Sequence, residues 1–248
     1  MARKVRVDQL LVERGLAASR SQAQALVMAG AVVAGEARVD KPGQLVDPEG
    51  ALRVKPGAAP QRYVSRGALK LEGALDAFGI DPRGATCADL GASTGGFTDL
   101  LLQRGAARVH AVDVGYGQLH SRLRGDPRVV VRERENARAL SAEALGERVE
   151  FVTGDLSFIS LRLVLPAVRA ILRPGGTAVL LVKPQFEVGK GEVGKGGVVR
   201  DEAKRRGALE RVKAAARELG FEVRGEMESP IEGPAGNREW LLWLVAPR

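Results

Sequence analysis

Residues 86–97 read TCADLGASTGGF: a short apolar run ends in Asp89 and Leu90, and a turn rich in glycine follows. Such a run is typical of a buried strand, and glycines let the backbone of the turn pass close to a ligand. The turn lacks the lysine and hydroxyl residue that end a P-loop, and it lacks a full G-x-G-x-x-G pattern. Asp89 repels a pyrophosphate but attracts an ammonium or sulfonium group, so the turn favours a cationic ligand.

Strand-like and helix-like segments alternate around this turn. The predicted strands cover residues 86–90, 109–112, 129–131, 151–153, 177–182, 221–223 and 240–245. The predicted helices cover residues 97–104, 161–172 and 201–219. Regular alternation of this kind predicts an α/β fold with a mostly parallel, doubly wound sheet, which the last two strands are expected to close.

Polar residues follow four of the predicted strands, in the turn after Leu90 and at Asp113, Asp155 and Lys183. Ligands bind beyond the carboxyl ends of the strands in sheets of this class, so these positions predict a shared site. Asp113 lies about 20 residues beyond the turn, where a carboxylate suits a ribose diol. Together with Asp89, these features predict a site for an adenosine ligand with a positively charged tail, which is the chemistry of S-adenosylmethionine.

The start of the chain, up to position 55, is predicted to form a small unit of its own. Asp8 is expected to cap a short helix, and Ser19-x-x-Gln22 has the form of a capping box for a second helix that ends at Gly30. Two apolar segments around Gly35 predict a hairpin. Two helices followed by a small sheet therefore account for this part of the chain.

A stretch of prolines and small residues, PGAAP at residues 56–60, disfavours both helix and strand. We therefore place a linker at residues 56–61. It separates a first domain over residues 1–55 from a second domain over residues 62–248.

Positive charge is concentrated near the start of the chain. Lys and Arg number 38 and Asp and Glu number 30, giving a net charge of +8, and positions 1–70 hold 12 of the basic but only 6 of the acidic side chains. Such a concentration favours a polyanion, because bound cations release the counterions of phosphate groups. A solvated face that keeps the protein in solution is the alternative interpretation.

The composition also excludes several classes of protein. No apolar run approaches the roughly 18–20 residues that a membrane-spanning helix needs, so we expect no integral membrane protein and no membrane partner. The single cysteine, Cys87, excludes a disulfide within the chain. The N-terminal stretch MARKVRVDQLLVERG has no apolar signal core, and together these features predict a cytoplasmic location.

Residues 6–15 (RVDQLLVERG), 19–23 (SRSQA) and 28–32 (MAGAV) closely resemble the S4-type RNA-binding domain. The resemblance implies that the second helix and the hairpin edge face RNA phosphates. The candidate contacts are Arg3, Lys4, Arg6, Arg20 and Lys41, with Ser19 and Gln22 as polar neighbours. We expect positioning on structured RNA rather than base readout, although a plain surface role stays open for each cation taken singly.

Four further motifs look like the TlyA (hemolysin A) family, in which an S4-type domain precedes an FtsJ-like (RrmJ) methyltransferase domain. They are YVSRGALKL at residues 63–71, DLGASTGGFT at 89–98, GDLSFIS at 154–160 and VKPQFE at 182–187. The resemblance implies a small α+β domain followed by a Rossmann-like, class I methyltransferase domain. It also implies methyl transfer from S-adenosylmethionine to a ribose 2′-hydroxyl of ribosomal RNA, at cytidine in the studied members.

The resemblance further implies the residues of the site. The FtsJ-like catalytic set of Lys, Asp, Lys and Glu falls on Lys70, Asp155, Lys183 and Glu239. The implied cofactor-binding residues are Asp89, Gly91, Ala92, Ser93, Gly95, Gly96, Phe97, Asp113, Val114, Asn136 and Asp155. Further RNA contacts are expected from Arg66 and from a glycine-rich, mobile loop that carries Lys190 and Lys195. No metal is expected.

A ribose hydroxyl is a poor nucleophile, which explains why such a set is needed. Lys183 is expected to accept the hydroxyl proton, if burial and the nearby Lys70 cation lower its pKa. In the alternative version, both amines stabilise a developing alkoxide without accepting a proton. The sequence leaves these two versions open.

Three other interpretations of the sequence remain. A non-catalytic RNA-binding or ribosome-assembly factor would have no need of an intact Lys70–Asp155–Lys183–Glu239 set. A membrane-lytic hemolysin would need an apolar segment that the sequence lacks. A pseudouridine synthase fused to an S4-type domain would need no pocket for S-adenosylmethionine, so cofactor binding discriminates against it.

Overall fold

The computed structural model describes residues 4–17, 19–28, 30–55, 62–189, 191–233 and 235–248 of the chain. The chain divides into two compact units, which comprise residues 1–62 and 63–248. The predicted linker at residues 56–61 lies outside the described residues. Within the described residues, no helix combines the length and the apolar character that crossing a bilayer demands.

The described part of the first unit consists of two helices and two small antiparallel sheets around one apolar core. In chain order its elements are β1 (Val5–Arg6), α1 (Val7–Glu13), α2 (Arg20–Met28), β2 (Val32–Ala34), β3 (Ala37–Arg38), β4 (Leu45–Val46) and β5 (Leu52–Val54). Strand β1 pairs with β4, and the second sheet has the order β3-β2-β5. The core includes Leu10, Leu11, Leu26, Val27 and Val32.

The two predicted helix starts in this unit have different outcomes. Ser19 accepts a hydrogen bond from the backbone N–H of Gln22 at 3.2 Å, as expected of a capping residue. The prediction that Asp8 caps the first helix is wrong. Helix α1 begins at Val7, its N-terminal cap makes no side-chain hydrogen bond, and the Asp8 carboxylate is buried against guanidinium groups. The carboxylate is occupied by these guanidinium groups and therefore does not cap the helix.

The second unit is built on a seven-stranded sheet. Its elements are α3 (Ala68–Phe78), β6 (Thr86–Leu90), α4 (Gly96–Gln103), β7 (Arg108–Asp113), α5 (Ser121–Arg124), β8 (Val129–Glu133), α6 (Ala142–Leu145), β9 (Val149–Gly154), α7 (Leu165–Ile171), β10 (Leu172–Val182), α8 (Pro184–Glu187), α9 (Glu202–Glu218), β11 (Glu222–Glu228) and β12 (Trp240–Val245). The strand order is β11-β12-β10-β9-β6-β7-β8. Strands β10, β9, β6, β7 and β8 are parallel, while β12 is antiparallel to both of its neighbours. The prediction of a mostly parallel sheet that the last two strands close is confirmed, and the closing strands are antiparallel.

Both faces of this sheet are covered by helices. In β10, Leu180 and Val182 pack with the apolar residues of α7 and α9, whereas Val179 and Leu181 pack with those of α3 and α4. Successive residues of a strand point to opposite faces, so the two clusters lie on opposite sides of the sheet. Cys87, in the middle strand β6, is completely buried, and burial raises the pKa of its thiol to about 12.

Two predicted elements differ from the observed ones. The segment predicted as one helix over residues 161–172 contains a single 3₁₀ turn at Leu161–Leu163, then α7, and it passes into β10 at Leu172. The closing strand predicted over residues 221–223 extends to Glu228 as β11. This strand lies at the edge of the sheet, where four charged residues alternate with Val223, Gly225 and Met227, and Gly225 interrupts the apolar side of the pattern.

Candidate active site

A cavity of about 540 Å³ lies beyond the carboxyl ends of β6, β9 and β10. Asp155 and Lys183 line it from the ends of β9 and β10. Glu239 reaches the same edge from the start of β12, because the antiparallel register sets Val182 opposite Trp240. Three residues from distant parts of the chain are thereby brought together by the pairing of strands.

Lys70 completes this group from the first turn of α3. The segment before this helix is fixed to α4, because the Asp99 carboxylate accepts a hydrogen bond from the Val64 N–H at 2.8 Å. The backbone N–H of Gly67 donates to the Ser65 hydroxyl at 3.1 Å, just before the helix starts. These contacts set the direction from which the Lys70 side chain enters the cavity.

The four charged side chains alternate in sign around the cavity. The Lys70 amine lies 2.6 Å from Glu239 Oε2 and 3.8 Å from Asp155 Oδ2. The Lys183 amine lies 2.5 Å from Asp155 Oδ1. Asp155 therefore bridges the two amines, and two basic side chains face two acidic ones. All four predicted catalytic residues come together in this one cavity.

Three of these four side chains are almost entirely removed from solvent, while that of Asp155 is 25% exposed. The side chains of Lys70 and Lys183 are 6% and 9% exposed, and that of Glu239 is fully buried. Glu239 Oε1 has no hydrogen-bond partner among the described residues, and a Cβ built on Gly233 would lie only 2.6 Å from it. Buried charges that are held at short distance act in a low dielectric, where their electrostatic effect on a bound group is large.

The segment after β9 supplies contacts that the sequence did not reveal. Ser157 accepts a hydrogen bond from the Lys183 amine at 2.8 Å. Phe158 is 91% exposed and has a φ of +63°, and its ring lies 5.2 Å from that of Phe186, tilted by 48°. The buried carboxylate of Glu187 fixes the end of this segment, and burial raises the pKa of that carboxyl. These residues lie in the quoted motifs, but their contacts depend on the pairing of β9 with β10.

Asp89 lines the same cavity with a half-satisfied carboxylate. Its Oδ2 accepts hydrogen bonds from the N–H and the hydroxyl of Thr98 at 2.9 and 2.7 Å. Its Oδ1 is buried and has no partner among the described residues. Burial raises the pKa of this carboxyl to about 7, and the nearby Asp155 and Asp113 add to the effect. A positive group brought to Oδ1 would stabilise the charged carboxylate and lower its pKa again.

The glycines of the turn differ in what they do. Gly91 has a φ of +79°, and a Cβ there would lie 2.8 Å from the carbonyl oxygen of Asp155, so only glycine fits. Gly96 lines the cavity together with Ala92, Ser93 and Phe97. Gly95 does not line this cavity, nor does it line the second, smaller cavity that is described below. A Cβ there would clash with Leu119 and Leu123, which indicates that its role lies in packing.

A second cavity of about 360 Å³ adjoins the first and shares Gly91, Ser93 and Asp155 with it. Asp113, Val114 and Asn136 line this cavity, together with Gln118 and Glu135, which the sequence interpretation missed. Asp113 accepts hydrogen bonds from the N–H groups of Ser93 and Gly115 at 2.8 and 2.7 Å. Asn136 accepts one from the Arg138 N–H at 3.0 Å. Both side chains are thus held in place by backbone groups.

Comparison with known proteins shows the family to which the chain belongs. Residues 63–246 match the family described as FtsJ-like methyltransferase, and residues 5–51 match the S4 domain. TlyA of Mycobacterium tuberculosis, a 16S/23S rRNA (cytidine-2′-O)-methyltransferase, is 54% identical over 98% of this chain and 91% of its own length. The chain belongs to the TlyA family of FtsJ-like methyltransferases.

Two more members show how far the TlyA likeness extends. Hemolysin A of Brachyspira hyodysenteriae is 37% identical over 97% of this chain and 100% of its own length. A solved structure from Streptococcus thermophilus, provisionally assigned as a hemolysin, has 46% identity and a TM-score of 0.76. It covers 100% of this chain and 90% of that one, so the likeness spans the S4 domain as well as the methyltransferase domain.

The predicted RNA contacts of this TlyA-family chain are distributed over both units. Arg3 and Lys190 lie outside the described residues. Lys4 and Lys41 are exposed in the S4 domain, and Arg66 and Lys195 are exposed in the methyltransferase domain. Arg6 and Arg20 also belong to the S4 domain, where both are paired with Asp8. Ser19 and Gln22 lie at the start of α2.

The glycine-rich segment that contains Lys195 was predicted to be a mobile loop, but part of it is held by hydrogen bonds. It includes a 3₁₀ turn at Lys195–Gly197, and Gly197 lines the larger cavity. The buried Asn237 donates a hydrogen bond to the Gly197 carbonyl at 2.8 Å and accepts one from the Val199 N–H at 3.0 Å. One side chain near the start of β12 therefore holds this segment beside the cavity.

Proposed function

We propose that the chain transfers a methyl group from S-adenosylmethionine to the 2′-hydroxyl of a cytidine in ribosomal RNA. The observation that carries the proposal is the group formed by Lys70, Asp155, Lys183 and Glu239 in a cavity next to a second cavity suited to a nucleoside. The M. tuberculosis relative named for this reaction supports the same assignment.

The residues present fit the proposed cofactor. Oδ1 of Asp89, which has no partner among the described residues, offers a negative site to a cationic tail, and the backbone of Gly91 lines both cavities. Asp113 and Asn136 provide the polar groups that a ribose and an adenine need in the smaller cavity. When bound, S-adenosylmethionine supplies a methyl carbon activated by its positively charged sulfur.

The remaining residues act on the hydroxyl that receives the methyl group. A ribose hydroxyl placed beside Lys183 meets an amine that Asp155 and Ser157 already orient, so little motion is needed at the moment of reaction. Lys70 and Glu239 add a second oriented pair. Lys183 then either accepts the hydroxyl proton as a neutral amine or, as an ammonium group, stabilises the negative charge that develops on the oxygen.

A variant at Lys183 tests the proposal. We expect Lys183→Ala to abolish methyl transfer to rRNA, while calorimetry shows that binding of S-adenosylmethionine survives. Lys183→Arg keeps the charge but does not accept a proton from a hydroxyl at neutral pH, so it separates the two roles of the amine. Activity in Lys183→Arg would favour charge stabilisation, and its absence would favour proton transfer.

The same variant is tested in cells. Mapping of 2′-O-methyl positions should find a cytidine whose methylation disappears when the gene is deleted. Methylation should return with the wild-type chain but not with Lys183→Ala. Full turnover by Lys183→Ala, or an rRNA methylation pattern unchanged by the deletion, would contradict the proposed function.

A further inference from the structure

A buried carboxylate in the S4 domain binds two arginines at once. The side chain of Asp8 has no exposed surface. Its Oδ1 accepts from Arg6 Nε at 3.0 Å, and its Oδ2 accepts from Arg6 Nη2 at 2.9 Å, Arg20 Nε at 3.1 Å and Gln24 Nε2 at 3.1 Å. The Arg6 guanidinium, with help from Gln24 and Arg20, holds the pKa of this carboxyl well below its usual range. The carboxylate is thus charged whenever the protein is folded at neutral pH.

These bonds occupy only part of each guanidinium group. Asp8 takes the Nε and Nη2 atoms of Arg6 and the Nε atom of Arg20. Arg6 Nη1 and both terminal nitrogens of Arg20 have no partner among the described residues, and the two side chains are 41% and 53% exposed. An arginine binds phosphate through N–H groups in a fixed planar fork, so these outer donors suit a phosphate oxygen.

The backbone around Arg6 keeps this arrangement in place. A Cβ built on Gly43 would lie 3.0 Å from Arg6 Nη1, so glycine makes room for the guanidinium. The N–H groups of Val7 and Asp8 donate to the carbonyls of Gln44 and Pro42 at 2.9 and 3.2 Å. The start of α1 and the loop before β4 therefore enclose one side of the pair.

We infer that Asp8 is a positioning residue, which holds Arg6 and Arg20 side by side as one preformed phosphate clamp for RNA. The inference rests on the proposed function, because rRNA is the ligand. Flexible arginines lose conformational freedom when they bind phosphate, whereas arginines already fixed by a carboxylate lose less. Asp8 acts through the arginines and does not itself touch the RNA.

This role predicts an effect of unusual sign. Removing a negative charge from an RNA-binding domain should strengthen binding if net charge alone decides the affinity. Removing Asp8 should weaken binding if the carboxylate positions the arginines. The sign of the change therefore separates a positioning role from a purely electrostatic one.

The test compares Asp8→Asn with Glu36→Gln in the full-length protein. Glu36 is exposed in the β2–β3 turn, so its variant removes the same charge from the same domain without disturbing the clamp. Binding to in-vitro-transcribed 23S rRNA is measured over a range of KCl concentrations. We expect Asp8→Asn to weaken binding by roughly tenfold and to flatten the dependence of affinity on salt, whereas Glu36→Gln matches or exceeds the wild type.

A second variant tests the same inference independently, in case Asp8→Asn does not fold. Arg20→Lys changes an exposed side chain and keeps its charge, but a lysine has no planar fork with which to bind Asp8 and phosphate together. We expect a several-fold loss of affinity. In an Arg6→Ala/Arg20→Ala background, Asp8→Asn should cause no further loss, because the groups that it positions are gone.

Three outcomes would overturn the inference. They are Asp8→Asn binding as tightly as Glu36→Gln, Arg20→Lys binding as tightly as the wild type, and an undiminished effect of Asp8→Asn in the double-alanine background. A wild-type chain that does not bind the transcript would overturn the proposed function as well. The binding of S-adenosylmethionine by each variant serves as the control for an intact methyltransferase domain.

Discussion

The two carboxylate oxygens of Asp89 lie in different environments. Its Oδ2 is satisfied by Thr98, while its Oδ1 is buried without a partner among the described residues, at the edge of the larger cavity. The sequence indicated its importance, because an acidic residue directly before a glycine-rich turn is unsuited to phosphate. The sequence did not reveal the missing partner, since that depends on which groups the fold brings near it.

The raised pKa of Asp89 predicts that cofactor binding depends on pH. In the free protein this carboxyl titrates at about 7, so it is protonated below that pH and charged above it. A cationic ligand favours the charged form, and below pH 7 its binding must displace a proton. The affinity for S-adenosylmethionine should therefore fall as the pH is lowered from 7 to 5.5, by at most about tenfold per pH unit.

Titration calorimetry over this pH range measures the effect. Asp89→Asn is the matched control, because it keeps the shape of the side chain but has no proton to exchange. It should bind more weakly at pH 7 and show a flat profile. A pH dependence of the same size in Asp89→Asn would assign the proton to another group.

At the scale of elements, the pairing of β12 with β10 decides the site. Strands of the second unit such as β6 and β12 could be predicted because they are short, continuous apolar runs that alternate with helix-like segments. The order of the strands in the sheet could not be predicted, because it depends on long-range packing. The register of Val182 opposite Trp240 places Glu239 near Lys183, although the two residues lie far apart in the chain. Only the family resemblance pointed to Glu239.

Asn237 gives a prediction at the same scale. Its amide satisfies the Val199 N–H and the Gly197 carbonyl, so Asn237→Ala leaves two backbone groups without their partner. Of these two residues Val199 is buried, and an unsatisfied buried group costs about 1–3 kcal/mol, so the loss should appear as local opening. Hydrogen exchange over residues 191–199 should become faster than in the wild type.

A second variant provides the comparison. Ser141→Ala also removes a hydrogen bond to a backbone N–H, but at the start of α6. Its exchange should change only around that helix. If Asn237→Ala leaves exchange over residues 191–199 unchanged, the segment is held by other contacts.

At the scale of the whole molecule, the basic residues near the start of the chain do not all belong to the first unit, and they do not all lie on the surface. The basic stretch at positions 1–70 includes Arg66 and Lys70, yet both belong to the second unit. Lys70 is buried against Glu239 and therefore contributes to the site rather than to a positive surface. Counting charges along the chain could not distinguish a buried ion pair from an exposed cation.

Removing residues 1–62 tests whether the first unit contributes to RNA binding and the second unit alone binds the cofactor. Both cavities are lined by residues from Ser65 onward, so the shortened chain should bind S-adenosylmethionine as the full chain does. Its affinity for rRNA should fall, and the dependence on salt should become shallower because fewer phosphates are neutralised. An unchanged salt dependence, measured by filter binding, would contradict a role for the S4 domain in RNA binding.

The burial of Cys87 in β6 has a practical consequence. Its high pKa and lack of exposure make this thiol unreactive toward maleimide dyes while the sheet is intact. A cysteine engineered on the surface can therefore be labelled selectively in the native protein without first replacing Cys87. In denaturant, the same buried thiol becomes a built-in reporter, whose rate of labelling records how often the centre of the methyltransferase domain opens.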